Sequence, residues 1–96
     1  MDLLVIVSTP QAAAILSPMA QAFDRAKFDW AVFFTNDGVK VLTQPAIISA
    51  LSSARHKIAC HDSWERFGKS VDCPVELGSQ TNNSELVGQA ARIVSL

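Results

Sequence analysis

The sequence has little charge of either sign. Eight Lys and Arg face nine Asp and Glu across 96 residues, for a formal net charge of -1. The charges are scattered, with no basic stripe and no charged tail, so direct nucleic-acid binding is not expected. Long apolar runs are also missing. No segment approaches the roughly 20 residues of a membrane-spanning helix. The opening "MDLLVIVSTP" lacks the basic n-region of an export signal and reads as a first strand. No membrane association is therefore expected. Cysteine is scarce, with two residues and no C-x-x-C pair. Two thiols without an export signal suggest a reducing compartment, and hence a cytoplasmic protein with free cysteines. The "STPQ" after the first strand holds none of the glycines of a phosphate loop, which argues against nucleotide binding. There are no internal repeats, low-complexity tracts or linkers.

Hydrophobic residues make up 49% of the chain and charged residues 18%. That balance fits a folded globule. The length suits one domain over residues 1–96. A core of this size has a thin margin, so self-association is expected.

Leu3 to Val7 is a continuous apolar run, the mark of a strand covered on both faces. Thr9 and Pro10 read as an N-cap and first helical position. Ile15, Met19, Ala22, Phe23 and Ala26 follow at helical spacing. Pro18 interrupts them and predicts a kink, or a fresh start capped by Ser17. Trp30 to Thr35 is the second strand. "NDG" at 36–38 signals a turn, and "VKVLTQP" after it fits a short helix or an extended loop. Pro45 to Ala54 reads as an amphipathic helix, and His56 to Cys60 as the third strand. Asp62 and Glu65 have the spacing of a capping box, and Gly68 is placed to end that helix. Val75 to Leu77 is a weak fourth strand. Asn82 and Glu85 repeat the capping spacing, and "RIVSL" closes the chain as a fifth strand. This alternation predicts a small three-layer α/β/α sandwich around a mainly parallel five-stranded sheet with right-handed crossovers.

Cys60 stands at the seam between the third strand and a helix. Sites in open α/β sheets gather beyond the carboxyl ends of the strands. A helix start offers free amides and the positive end of a dipole, which favour a thiolate over a thiol. His61 and Arg66 add positive charge if they point toward the sulfur. The plainer reading is that Cys60 packs as a small buried hydrophobe.

"ACHDSWERFG" resembles the cysteine segment of the DsrE/DsrF-like sulfurtransferase family, which includes the Tus sulfur-relay subunits. Cys60, Ser63, Arg66 and Gly68 fall at that segment's cysteine, small residue, arginine and glycine, with Phe67 inserted before the glycine. "VFFTNDGVKVL" is similar to the family's second strand and its Asp-Gly-Val turn, at Asp37, Gly38 and Val39. The short "GS" stretch, last helix and terminal strand fit as well. The resemblance implies the family's fold over the whole chain and a persulfide carried on Cys60, with Arg66, Asp37 and Gly38 in support, and His61 joins them by its place beside Cys60. It also implies donor and acceptor proteins as partners and a trimeric or hexameric homo-oligomer. Persulfide exchange needs only a nucleophilic thiolate and an accessible terminal sulfur, so no metal or other cofactor is expected.

Rival readings remain. The same fold serves equally as a non-catalytic assembly or regulatory subunit, or as a small-ligand or metal-binding module. Cys73, before Pro74, is either an incidental loop thiol or a resolving partner for Cys60. His56 and Cys60 lie at opposite ends of one strand, roughly 13 Å apart, and do not share a metal. A site from Cys60, His61 and Cys73 lacks the paired spacing of zinc ligands. Asp37 either shapes its turn or lines the pocket beside Cys60. Trp30 and Trp64 read as packing or interface residues, since nothing basic accompanies them.

Overall fold

The computed structural model describes residues 1–68 and 72–96. Five strands form one sheet in the order β4-β3-β2-β1-β5. They are β1 (Leu3–Val7), β2 (Trp30–Phe34), β3 (His56–Cys60), β4 (Glu76–Gly78) and β5 (Arg92–Ser95). Every pairing is parallel, so the sheet is wholly rather than mainly so. The central strand is β2, and all five of its residues are buried, as a strand covered on both faces requires.

Side chains alternate across the sheet and divide the core in two. On one face Leu3, Val5, Val7, Trp30, Val32, Phe34 and Ala59 pack under three helices, α1 (Ala13–Ala26), α2 (Pro45–Ala50) and α3 (His61–Phe67). Burying each large side chain there contributes about 1.5–3 kcal/mol. The indole N–H of the fully buried Trp30 donates to Ser53 Oγ at 3.3 Å, so its polar end is satisfied. On the other face Leu4, Ala31, Phe33, Ile58 and Cys60 pack under the last helix, α4 (Gln80–Gln89), through Leu86. This face carries one helix instead of three, and Ile93 on β5 is left 46% exposed.

Several expected boundaries change. Helix α1 runs through Pro18 without a break, so Ser17 caps nothing. Pro18 and Ala14, whose carbonyl loses its partner, both face solvent, where water serves that carbonyl. The segment left open as helix or loop is a 3-10 helix, Asn36–Thr43, which also absorbs the "NDG" turn. Its Gly38 is buried where a Cβ would strike the Val7 carbonyl. The start of α4 moves one turn upstream of the Asn82/Glu85 spacing. Ser79 is its N-cap, the Asn82 amide donates to Ser79 Oγ at 3.3 Å, and the Ser79 amide donates to Asn82 Oδ1 at 2.7 Å. The start of α3 also moves, and that change concerns the site. No helix among the described residues is long and apolar enough to cross a membrane.

Candidate functional site

Parallel pairing brings the carboxyl ends of β2, β3 and β4 side by side, with Phe34 beside Ala59 and Cys60 beside Gly78. The Thr35 amide donates to the Val7 carbonyl at 2.9 Å, which ties the exit of β2 to that of β1. Asn36 then turns the chain with φ 51. Asn adopts this left-handed conformation more readily than most non-glycine residues.

Cys60 is both the last residue of β3 and the N-cap of α3. The chain passes from strand to helix with no intervening loop. Asp62, expected as the cap, instead lies in the first turn with its side chain 98% exposed. Its expected capping box with Glu65 does not form, because the helix has already begun at His61. Both carboxylates flank the His61 ring instead, Asp62 Oδ1 at 3.8 Å from Nδ1 and Glu65 Oε1 at 3.5 Å from Nε2. The helix does end at Gly68, but with extended backbone rather than a left-handed turn. The Gly68 amide donates to the Trp64 carbonyl at 2.8 Å, and a Cβ there would run into the Trp64 ring.

The Cys60 side chain projects to the α4 side of the sheet and is 6% exposed. It is therefore a packed residue, as the plainer reading held, but its surroundings are not inert. Ser63 lies one turn along α3 and is the one buried polar residue among the described residues. Its Oγ accepts a hydrogen bond from the Asn36 amide at 2.8 Å. A hydroxyl that accepts in this way keeps its proton for donation, and the Ser63 hydroxyl bonds the Cys60 sulfur. Burial pushes the Cys60 thiol up. The Ser63 hydroxyl, the Ser63 amide, the Gln80 carboxamide and the Asp62 amide pull it down, and together they prevail. The thiol lies below its ordinary value.

Cys73 behaves in the opposite sense. Burial raises its thiol, and the Val75 amide offsets only part of the effect. It lines a cleft of about 480 Å³ with Arg55, His56 and Lys57, at the amino end of β3. The two free cysteines thus lie at opposite ends of the strand. The alternatives that joined them, as a disulfide or as zinc ligands with His61, do not match this placement.

Two clefts meet at Cys60. One, of about 470 Å³, is bounded by His61, Gly78, Ser79 and Gln80. The other, of about 230 Å³, is bounded by Thr35, Asn36, Ser63, Arg66 and Gln80. Of the expected supporting residues, His61 and Arg66 each line one cleft. Neither is among the groups that lower the thiol. The Arg66 guanidinium lies 5.9 Å from the Phe67 ring centroid, and His61 is turned to its carboxylates. Asp37 is half-buried in the 3-10 helix and lines neither cleft, whereas Gly38 shapes the backbone behind it. Asn36, Thr35 and Gln80 were not anticipated. From the "NDG" turn it is the Asn36 backbone amide that reaches Ser63. Nothing near Gln80 in sequence relates it to Cys60.

The whole chain superposes on the crystal structure of the ychN protein from E. coli, with a TM-score of 0.74 and 100% of both chains covered. Sequence identity is 14%, so the likeness is one of fold alone, a small α/β sandwich around a five-stranded parallel sheet. No family model matches the sequence, and no curated protein matches it.

Proposed function

We propose that the protein is a sulfur carrier that accepts sulfur as a persulfide on Cys60 and passes it to a partner protein. The observation that supports this reading is the set of donors around one sulfur, with Ser63, Gln80 and the Asp62 amide directed at Cys60. Neutral donors stabilise an anion without requiring a second buried charge. The Cys60 thiolate attacks the terminal sulfur of a donor persulfide. A new S–S bond forms at Cys60, the donor's S–S bond breaks, and its electron pair leaves on the donor thiolate. Attack by an acceptor thiolate on the terminal sulfur reverses the exchange and restores the Cys60 thiolate. No net oxidation occurs in either step.

The partners in this reading are the donor and acceptor proteins, and the setting is a reducing compartment such as the cytoplasm. Assembly into a trimer or hexamer follows from the resemblance to the DsrE/DsrF-like family. Exposed Ile15, Phe28, Leu77, Val87 and Ile93 offer apolar surface for it. The 6% exposure of Cys60 favours a second reading, a non-catalytic assembly or regulatory subunit in which the thiol only packs.

Mass spectrometry after incubation with a persulfide donor separates the two. The carrier gains one sulfur atom, located on the Cys60 peptide. Cys73→Ser keeps the adduct and Cys60→Ser abolishes it. A folded wild-type protein that gains no sulfur leaves the assembly reading.

A further inference from the structure

We infer that Gln80 is a positioning residue for the Cys60 sulfur, its carboxamide anchored on Thr35 and spanning from α4 to the exit of β2 across the two clefts that meet at Cys60. The inference rests on the sulfur-carrier reading for its purpose and on the following geometry for its content. Gln80 is the first residue of α4, the helix that covers the face on which Cys60 lies. The Ser79–Asn82 capping box fixes the start of that helix and so the root of the Gln80 side chain. Gln80 Nε2 donates to Thr35 Oγ1 at 3.3 Å. A carboxamide nitrogen carries two protons, so one remains for the sulfur after Thr35 takes the other. Gln80 borders both clefts, and Cys60 borders both as well. The nearby basic side chains are turned elsewhere, the His61 ring toward Asp62 and Glu65, and the Arg66 guanidinium toward the Phe67 ring. The anion is therefore held from α4 by a neutral donor, and the orientation of that donor is set by Thr35, the residue that follows β2.

The test reads the pH profile of Cys60 alkylation by iodoacetamide in a Cys73→Ser background. Three further variants are compared with that parent: Gln80→Ala, Gln80→Glu and Thr35→Val. Gln80→Ala removes the donor and moves the midpoint to higher pH, with a rate at pH 7 about threefold lower. Gln80→Glu puts a carboxylate beside the sulfur and moves the midpoint further, with a rate about tenfold lower, equivalent to one pKa unit. Thr35→Val frees the carboxamide and shifts the midpoint in the same direction by less. A residue that served only the stability of α4 would change the melting temperature and leave the midpoint in place. Should Gln80→Ala fail to fold, Gln80→Glu and Thr35→Val decide the matter. Midpoints equal to the parent's in the folded variants overturn the inference. Sulfur uptake by the wild type is read separately by mass. Uptake with unmoved midpoints leaves the carrier standing without Gln80. Moved midpoints with no uptake leave the positioning of the thiolate standing and remove the carrier.

Discussion

Ser63 Oγ lies 2.8 Å from the amide nitrogen of Asn36 and accepts its hydrogen bond. The contact joins the loop after β2 to α3 and orients a buried hydroxyl on Cys60. Three roles meet in that hydroxyl. It satisfies the amide of a left-handed residue, it stitches two crossovers together, and it supplies a proton to sulfur.

Ser63→Ala tests these roles together. The substitution removes the acceptor of the part-buried Asn36 amide, and the loss of such a hydrogen bond costs about 0.5–1.5 kcal/mol. The Cys60 thiol also loses its foremost hydrogen-bond donor. We expect a lower denaturation midpoint and slower alkylation of Cys60 at pH 7. Unchanged alkylation in a destabilised protein would assign Ser63 to the fold alone.

The two cysteines should part company in their pH dependence. Cys60 lies below its ordinary value and Cys73 above it. Near neutral pH, Cys60 therefore alkylates faster than Cys73 in spite of its burial, as peptide mapping after a short iodoacetamide pulse would show. Equal rates, or a faster Cys73, would contradict the hydrogen-bond pattern.

Linkage carries the same shift into stability. A lowered folded pKa stabilises the native state at alkaline pH. The contribution is fully present above the unfolded thiol pKa, about 8.5, and is lost as pH falls through the lower folded value. The raised Cys73 acts in the opposite sense, so the comparison belongs in a Cys73→Ser background. There, the stability advantage of Cys60 over Cys60→Ser should grow as pH rises through that window. Denaturant titrations at several pH values measure it, and a flat difference would refute the shift.

Two cap substitutions check where the helices begin. Ser79→Ala removes the N-cap of α4 and should cost about 1 kcal/mol. Asp62→Ala should leave the melting temperature where it is, because its exposed carboxylate caps nothing. A large loss from Asp62→Ala would move the start of α3 back to the position its spacing with Glu65 predicts.

Gly38→Ala should be among the most damaging single-methyl changes in the chain. The added Cβ meets the backbone of Val7 and Ser8, and backbone cannot move aside as a flexible side chain would. A cost of about 1–3 kcal/mol is expected, read as a fall in melting temperature. Wild-type stability would show that the 3-10 helix can shift to make room.

The five strands and the α/β class were legible because apolar runs such as Trp30–Phe34 and His56–Cys60 announce strands by composition and length. Cys60 was legible as a candidate because it ends one of those runs. The capping residues were misread because Asp62 and Asn82 carry the right spacing two and three residues too late. Spacing reports which side chains are able to cap, and only the path of the backbone selects among them. Local sequence thus determined the elements and the thiol at their seam, since strand and helix signals are properties of neighbouring residues. Tertiary structure decided what surrounds that thiol. Ser63 faces it because α3 follows β3 without a loop. Asn36 and Thr35 arrive from the adjacent strand by register, and Gln80 arrives from a helix that returns over the other face of the sheet. Those contacts depend on the closure of parallel crossovers, and no pattern in neighbouring residues encodes a distance across the sheet.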